Sequence, residues 1–140
     1  MMGGCEINNS KLGYKICSSS LAEIKPCLVT LEIPKSARRI ATEYADNDVA
    51  IGYRCDWAKV INIAELSCEN GVVFALDSNI QIAYNCFYRP DGKAIRYQVG
   101  KRVWVRNFDS REYIGFSNGI HYCPTQIAAL MYYQGWKGGD

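Results

Sequence analysis

Asn70-Gly71, set between Ala64-Glu65-Leu66 and Val72-Val73-Phe74-Ala75, constrains the fold of this chain more than any other feature. Both residues tolerate positive φ, which a two-residue hairpin turn needs at both positions, so an antiparallel hairpin is expected here. Cys27-Leu28-Val29-Thr30-Leu31-Glu32-Ile33 reads as a strand, and Pro34, without an N–H for the ladder, ends it. The run Arg54 to Ile63 alternates, with Cys55, Trp57, Lys59, Ile61 and Ile63 on one side and Ala58 and Val60 on the other. Further extended segments are Tyr14–Cys17, Ile80–Tyr88, Ile95–Val99, Arg102–Val105, Tyr113–Phe116 and Ile120–Cys123. One main stretch is expected to be helical, about Thr125–Tyr133. Ile127, Ala128, Leu130, Met131 and Tyr132 are its apolar positions, and Gly135 and Gly138-Gly139 are its stop.

Strands in succession and then one helix predict an α+β fold: an antiparallel β-rich single domain with a C-terminal helix. A flexible N-terminus is expected over 1–13 and the single β-rich domain over 14–140. Leu28, Leu31 or Val29, Trp57, Ile61, Ile63, Val103 and Ile120 are the expected core.

Sixteen basic residues against 14 acidic ones leave a net charge of +2, too near balance for nonspecific DNA binding. The seven cysteines form no C-x-x-C pair and the chain has one histidine, so no zinc site of ordinary spacing can be written. No metal, no cofactor and no obligatory disulfide are expected. No long apolar run suggests a signal peptide or membrane span, and free thiols fit a reducing compartment, so the expectation is a cytoplasmic protein without membrane contact.

Three segments are candidates for function. Arg102, Trp104 and Arg106 alternate with Val103 and Val105, so on a strand they project to one face, in a region that also holds Arg89 and Tyr97. An aromatic ring between guanidinium groups suits a nucleotide, the ring stacking on the base and the arginines taking phosphates. The other reading is a solvated strand face with a partly covered tryptophan. His121 stands at a strand end before the helix, where it serves either as a proton or phosphate group or as a packed imidazole that fixes the turn; Cys123 is on its side of the strand. Lys35, Arg38 and Arg39 form either an anion site or a solvated corner paired with Glu43 or Asp46.

Three stretches resemble a known family. Tyr14-Lys15-Ile16-Cys17 with Leu28 through Pro34-Lys35-Ser36-Ala37-Arg38-Arg39 is similar to G-[YW]-K and a strand ending I-P-x-x-A-[KR]-R. Tyr53-Arg54-Cys55-Asp56-Trp57-Ala58-Lys59-Val60 is similar to K-C-R-x-x-x-A-x-V. Tyr97-Gln98-Val99-Gly100, Phe108-Asp109-Ser110-Arg111 and Ser117-Asn118-Gly119-Ile120-His121-Tyr122 follow Y-x-V-G, F-D-x-x-R and S-x-G-I-H-[FY]. The pattern is that of an uncharacterised domain found in viruses and phages, often attached to pentapeptide repeats. Phe116 stands where members have a cysteine, and Pro124-Thr125-Gln126-Ile127-Ala128 replaces a helix start T-R-x-E-A. The resemblance implies a β-rich fold, a viral or prophage origin and action in the cytoplasm of the infected cell. It implies no catalytic residue.

Gly119-Ile120-His121-Tyr122 and the helix after it also resemble a short nicotinamide-holding segment of ADP-ribosyltransferases, but those enzymes need a catalytic glutamate or its substitute further along, and no glutamate follows Cys123. The expected function is thus a non-enzymatic viral or phage accessory protein with a counter-defence role. It would bind an anionic nucleotide-like host signal through Arg102, Trp104, Arg106, Tyr97, Arg89 and His121. The alternatives are a module that blocks a host defence protein and a degenerate ADP-ribosyltransferase-like enzyme using His121. A homo-oligomer stays open.

Overall fold

The computed structural model describes residues 11–41, 52–85, 94–111 and 118–138. In chain order the strands are β1 (Lys11–Ser18), β2 (Pro26–Ile33), β3 (Arg39–Ala41), β4 (Tyr53–Cys55) and β5 (Trp57–Glu69). They continue as β6 (Val72–Leu76), β7 (Ile82–Asn85), β8 (Arg96–Gln98), β9 (Arg102–Trp104) and β10 (Ile120–Tyr122), before helix α1 (Gln126–Gly138). Every strand pair is antiparallel. The fold is mostly β with one short C-terminal helix, so it is more strongly β than an α+β label implies.

The hairpin forms at Asn70-Gly71, where φ is 54° and 79°, and it joins the long β5 to β6 in the register Glu69↔Val72. Seven strands make one sheet, in the order β6-β5-β2-β1-β7-β8 with β9 also paired to β5; β10-β4-β3 make a second. The Gln98–Lys101 turn ties the ends of the large sheet together. Val99 N–H donates to Gln81 O at 3.0 Å and Gly100 N–H to Val60 O at 2.8 Å. Gly100 turns the chain at φ +84°, which a residue with a Cβ rarely adopts.

The two faces of the large sheet bury different sets. Cys17, Cys27, Val29, Leu31 and Ile33 alternate inward with Ala58, Val60, Ile63, Ala83 and Tyr97, and the small sheet adds Cys55, Ile120 and Tyr122 to the same core. On the opposite face Ile16, Leu28, Ala64 and Val73 pack against Ala129 and Tyr133 of α1. The period-two alternation of β1 and β2 thus supplies both clusters.

Several boundaries and faces differ from the sequence expectations. β1 starts at Lys11, inside the segment expected to be loose, while residues 1–10 lie outside the described residues. The alternation expected through β5 breaks at Ile61. Leu31 pairs with Val60 and Thr30 with Asn62, so Ile61 is an extra residue and the strand carries a bulge. Ala58 and Val60 therefore face the core, Ile61 is 43% exposed, and Ile63 is buried. Trp57 is only partly buried against the core rather than part of it. Leu28, Val29, Leu31, Ile63, Val103 and Ile120 are buried as expected.

Helix α1 runs through Gly135 to Gly138, past the expected stop. Thr125 caps its start, its Oγ1 accepting from Ala128 N–H at 3.0 Å. Its buried residues include Ala129 and Tyr133, while Ile127 and Met131 are exposed. No helix among the described residues is long and apolar enough to cross a membrane.

Candidate functional site

Strand β9 lies against the start of β5, and the register places like with like: Trp57 opposite Trp104 and Lys59 opposite Arg102. Val103 and Val105 turn into the core, so Arg102 and Trp104 face outward, with Arg106 also exposed just beyond the strand. Directly opposed residues in an antiparallel ladder sit close enough for aromatic rings to meet. The two indoles stack, with centroids 4.7 Å apart and planes inclined by 17°. The Arg102 guanidinium lies 5.6 Å from the Trp57 ring, within cation–π range. Trp104 remains 60% exposed. The result is an aromatic platform with Arg102 against it, Lys59 opposite Arg102 in the ladder and exposed Arg106 two residues past Trp104. Glu32, opposite Lys59 in the next strand, supplies nearby negative charge.

The structure brings together only part of the predicted set. Arg102 and Trp104 share the outward face of β9, and Arg106 is exposed in the turn that follows. Tyr97 is not: it is 0% exposed in the interior, where its hydroxyl accepts a hydrogen bond from Lys15 Nζ at 3.0 Å. Residue 97 falls on the inward side of β8, so its ring closes the core instead of meeting a ligand on this face. Arg89 lies outside the described residues. His121 belongs to the small sheet, opposite Arg54, and is partly buried. Cys123 packs with the helix-side cluster, and burial pushes its thiol up, away from an activated thiolate. Among the described residues no group of His, Cys, Asp and Glu is arranged to hold a metal.

Trp57 is the site residue that sequence reading assigned elsewhere. Its alternation with Cys55 and Ile61 suggested the core, but Asp56 sits at a bend between β4 and β5. That bend lets Cys55 face in and Trp57 face out. The same junction holds a second aromatic–guanidinium contact. Arg38 bonds both Asp56 carboxylate oxygens, through its N–H at 2.8 Å and Nε at 3.2 Å, and its guanidinium lies 5.0 Å from the Phe108 ring. Val105 N–H donates to Asp56 O at 2.8 Å, so the chain leaving the first platform passes this ion pair on its way to Phe108.

Sequence reading also gave no role to Arg54. It is fully buried. Its Nε and Nη2 donate to Asp109 O at 3.0 and 2.8 Å, and Nη2 also donates to Arg111 O at 2.8 Å. Asp109 in turn grips Arg111, whose Nη2 lies 2.6 Å from Oδ2. Gly119 passes so close to the Arg54 stem that a Cβ there would collide with Cγ and Cδ. Arg54, the Phe108–Arg111 segment and Asn118-Gly119 thus form one cluster on the outer side of the small sheet, with Asp109 N–H donating to Asn118 O at 2.9 Å.

This cluster joins separate stretches of the chain, and comparison with known proteins places them together in a domain of unknown function. Neither the curated proteins nor the solved structures include a match. A family of unknown function, DUF5758, matches residues 3–129, nearly the whole chain, and the protein belongs to it.

Proposed function

We propose that this protein is a non-enzymatic binding module that takes an anionic, nucleotide-like molecule on the Trp57–Trp104 platform. The observation that carries the reading is the stacked tryptophan pair, with Trp104 60% exposed beside the outward Arg102. Stacked on Trp57 and open to solvent, the Trp104 indole offers a large flat π-face for a ligand. A base stacks on that face, and Arg102 and Arg106 neutralise phosphate oxygens. The resemblance to a domain of viruses and phages supports a counter-defence role in the infected cell, in which the module withholds a nucleotide-like host signal. A second reading has support in the same residues. Trp and Arg on an open strand face are also the usual anchors of protein interfaces, which suits a module that covers a host protein.

Titration of the full chain with nucleoside mono- and diphosphates, followed by tryptophan fluorescence and thermal shift, separates the two. On the nucleotide reading, a ligand at about 100 times its dissociation constant adds about 2.7 kcal/mol of stability. Trp104→Ala then removes ~1–3 kcal/mol of binding and leaves the salt dependence, whereas Arg102→Gln weakens binding and flattens it. If no nucleotide changes either signal, the small-ligand reading fails and a protein partner is the remaining one. A chemically altered nucleotide recovered from the protein would instead establish an enzyme.

A further inference from the structure

We infer that the ligand is not a single nucleotide but two or more nucleotides joined by phosphodiesters, held at two aromatic stations. This rests on the proposed nucleotide reading of the Trp57–Trp104 face. The first station is that platform, with Arg102 against Trp57. The second is the Phe108 ring with the Arg38 guanidinium 5.0 Å from it. Arg38 is well exposed although it pairs with Asp56, its side chain retaining 62% of its accessible surface. The Phe108 ring is partly buried, resting near Gly119.

Chain connectivity makes these stations neighbours. Trp104 and Phe108 are four residues apart, which limits their Cα separation to about 14 Å even if fully extended. The link is shorter than that limit, because residues 106 and 107 form a turn. Asp56 joins the two stations from the other side, since Trp57 follows it in sequence and Arg38 is bonded to its carboxylate. Exposed Arg106 lies on the segment between the rings, where a linking phosphate would fall.

Alternating aromatic faces and cations at short spacing are how single strands are held without base reading. The charge balance favours a short ligand. Arg102, Lys59 and Arg106 are opposed locally by Glu32, and Asp56 already offsets Arg38. This can match a few phosphates but not the dense charge of a duplex.

The test compares thymidine monophosphate, a 5′-phosphorylated thymidine dinucleotide and hexathymidylate, all followed by tryptophan fluorescence of the full chain at fixed salt. The dinucleotide should bind about tenfold tighter than the monophosphate or better. Phe108→Leu retains an apolar side chain near Gly119 but loses the ring; it should bring the dinucleotide down to monophosphate affinity and leave monophosphate binding unchanged. Arg38→Gln should do the same in part and serves if Phe108→Leu does not fold. A further gain for hexathymidylate identifies a strand as the ligand; equal affinity for dinucleotide and hexamer identifies a dinucleotide-sized one. Equal affinities for all three probes, or equal losses of mono- and dinucleotide binding in Phe108→Leu, overturn the second station while leaving the proposed function intact. Absence of any response to all three overturns both.

Discussion

Arg54 shows how one side chain can unite distant parts of this chain. Its guanidinium reaches the carbonyls of Asp109 and Arg111, more than fifty residues away in sequence. A buried cation is tolerable when its donors are satisfied by fixed dipoles, and a planar fork suits two adjacent carbonyls. Arg54→Met keeps much of the volume but leaves those carbonyls without their donor. It should lower unfolding free energy by ~2–4 kcal/mol in urea denaturation, on the scale of lost charge-assisted hydrogen bonds at a buried site. Arg54→Lys should recover only part of this, because one ammonium cannot span both acceptors in the same plane. Little of this was legible in the sequence. An arginine in an alternating run reads as a solvent-facing strand residue, and its burial depends on the Phe108–Arg111 segment crossing over it. Gly119 had a visible signal, since a glycine just before a strand suggests a turn, but its actual constraint is the Arg54 stem beneath it.

At the scale of elements, local chemistry was readable and partner-dependent geometry was not. The Asn70-Gly71 turn, the end of β2 at Pro34 and the outward face of Arg102 and Trp104 each follow from a residue's own stereochemistry or from period-two alternation. The β5 bulge does not, because the extra residue exists only relative to β2. That bulge is why Ile61 was misplaced. The helix shows the same division. Its location was legible, but several residues on α1 are apolar, and only the sheet decides that Ala129 and Tyr133 are buried while Ile127 and Met131 are not. Substitutions should reveal the asymmetry. Tyr133→Ala opens a void in the cluster that α1 forms with the sheet and should cost ~2–4 kcal/mol. Ile127→Gln and Met131→Gln should each change stability by no more than about 0.5 kcal/mol. Thr125→Ala, which removes the cap on Ala128 N–H, should cost ~0.5–2 kcal/mol. Chemical denaturation of the four variants provides the comparison, and equal losses at Ile127 and Tyr133 would contradict the docking of α1.

At the scale of the whole molecule, the two sheets share an interior that contains ionisable groups kept neutral by burial. Loss of hydration pushes the Cys55 thiol up from 9.0 to about 12, with the Asp56 charge adding to the effect. Burial likewise raises the Tyr97 hydroxyl from 10.0 to about 12, with Lys15 opposing the shift, and raises Tyr122 as well. The consequence for stability has a definite sign. Below pH 9 the Cys55 thiol is protonated whether the chain is folded or unfolded, so its contribution is fully present. As pH rises from about 9 towards 12, the unfolded chain releases this proton and the folded chain retains it. Unfolding is then favoured by at most about 1.4 kcal/mol per pH unit for each such group. Tyr97 and Tyr122 join from about pH 10, the ordinary tyrosine value. Stability measured in urea should therefore be insensitive to these groups at pH 7–8.5 and fall progressively above pH 9. Cys55→Ala lowers stability at neutral pH by removing a packed side chain, but it should make the decline between pH 9 and 10 shallower, leaving the part that the buried Cys123 thiol contributes before the phenols act. A mutant whose alkaline slope in that interval equals that of the parent would show that Cys55 does not hold its proton more tightly in the folded interior than in the unfolded chain.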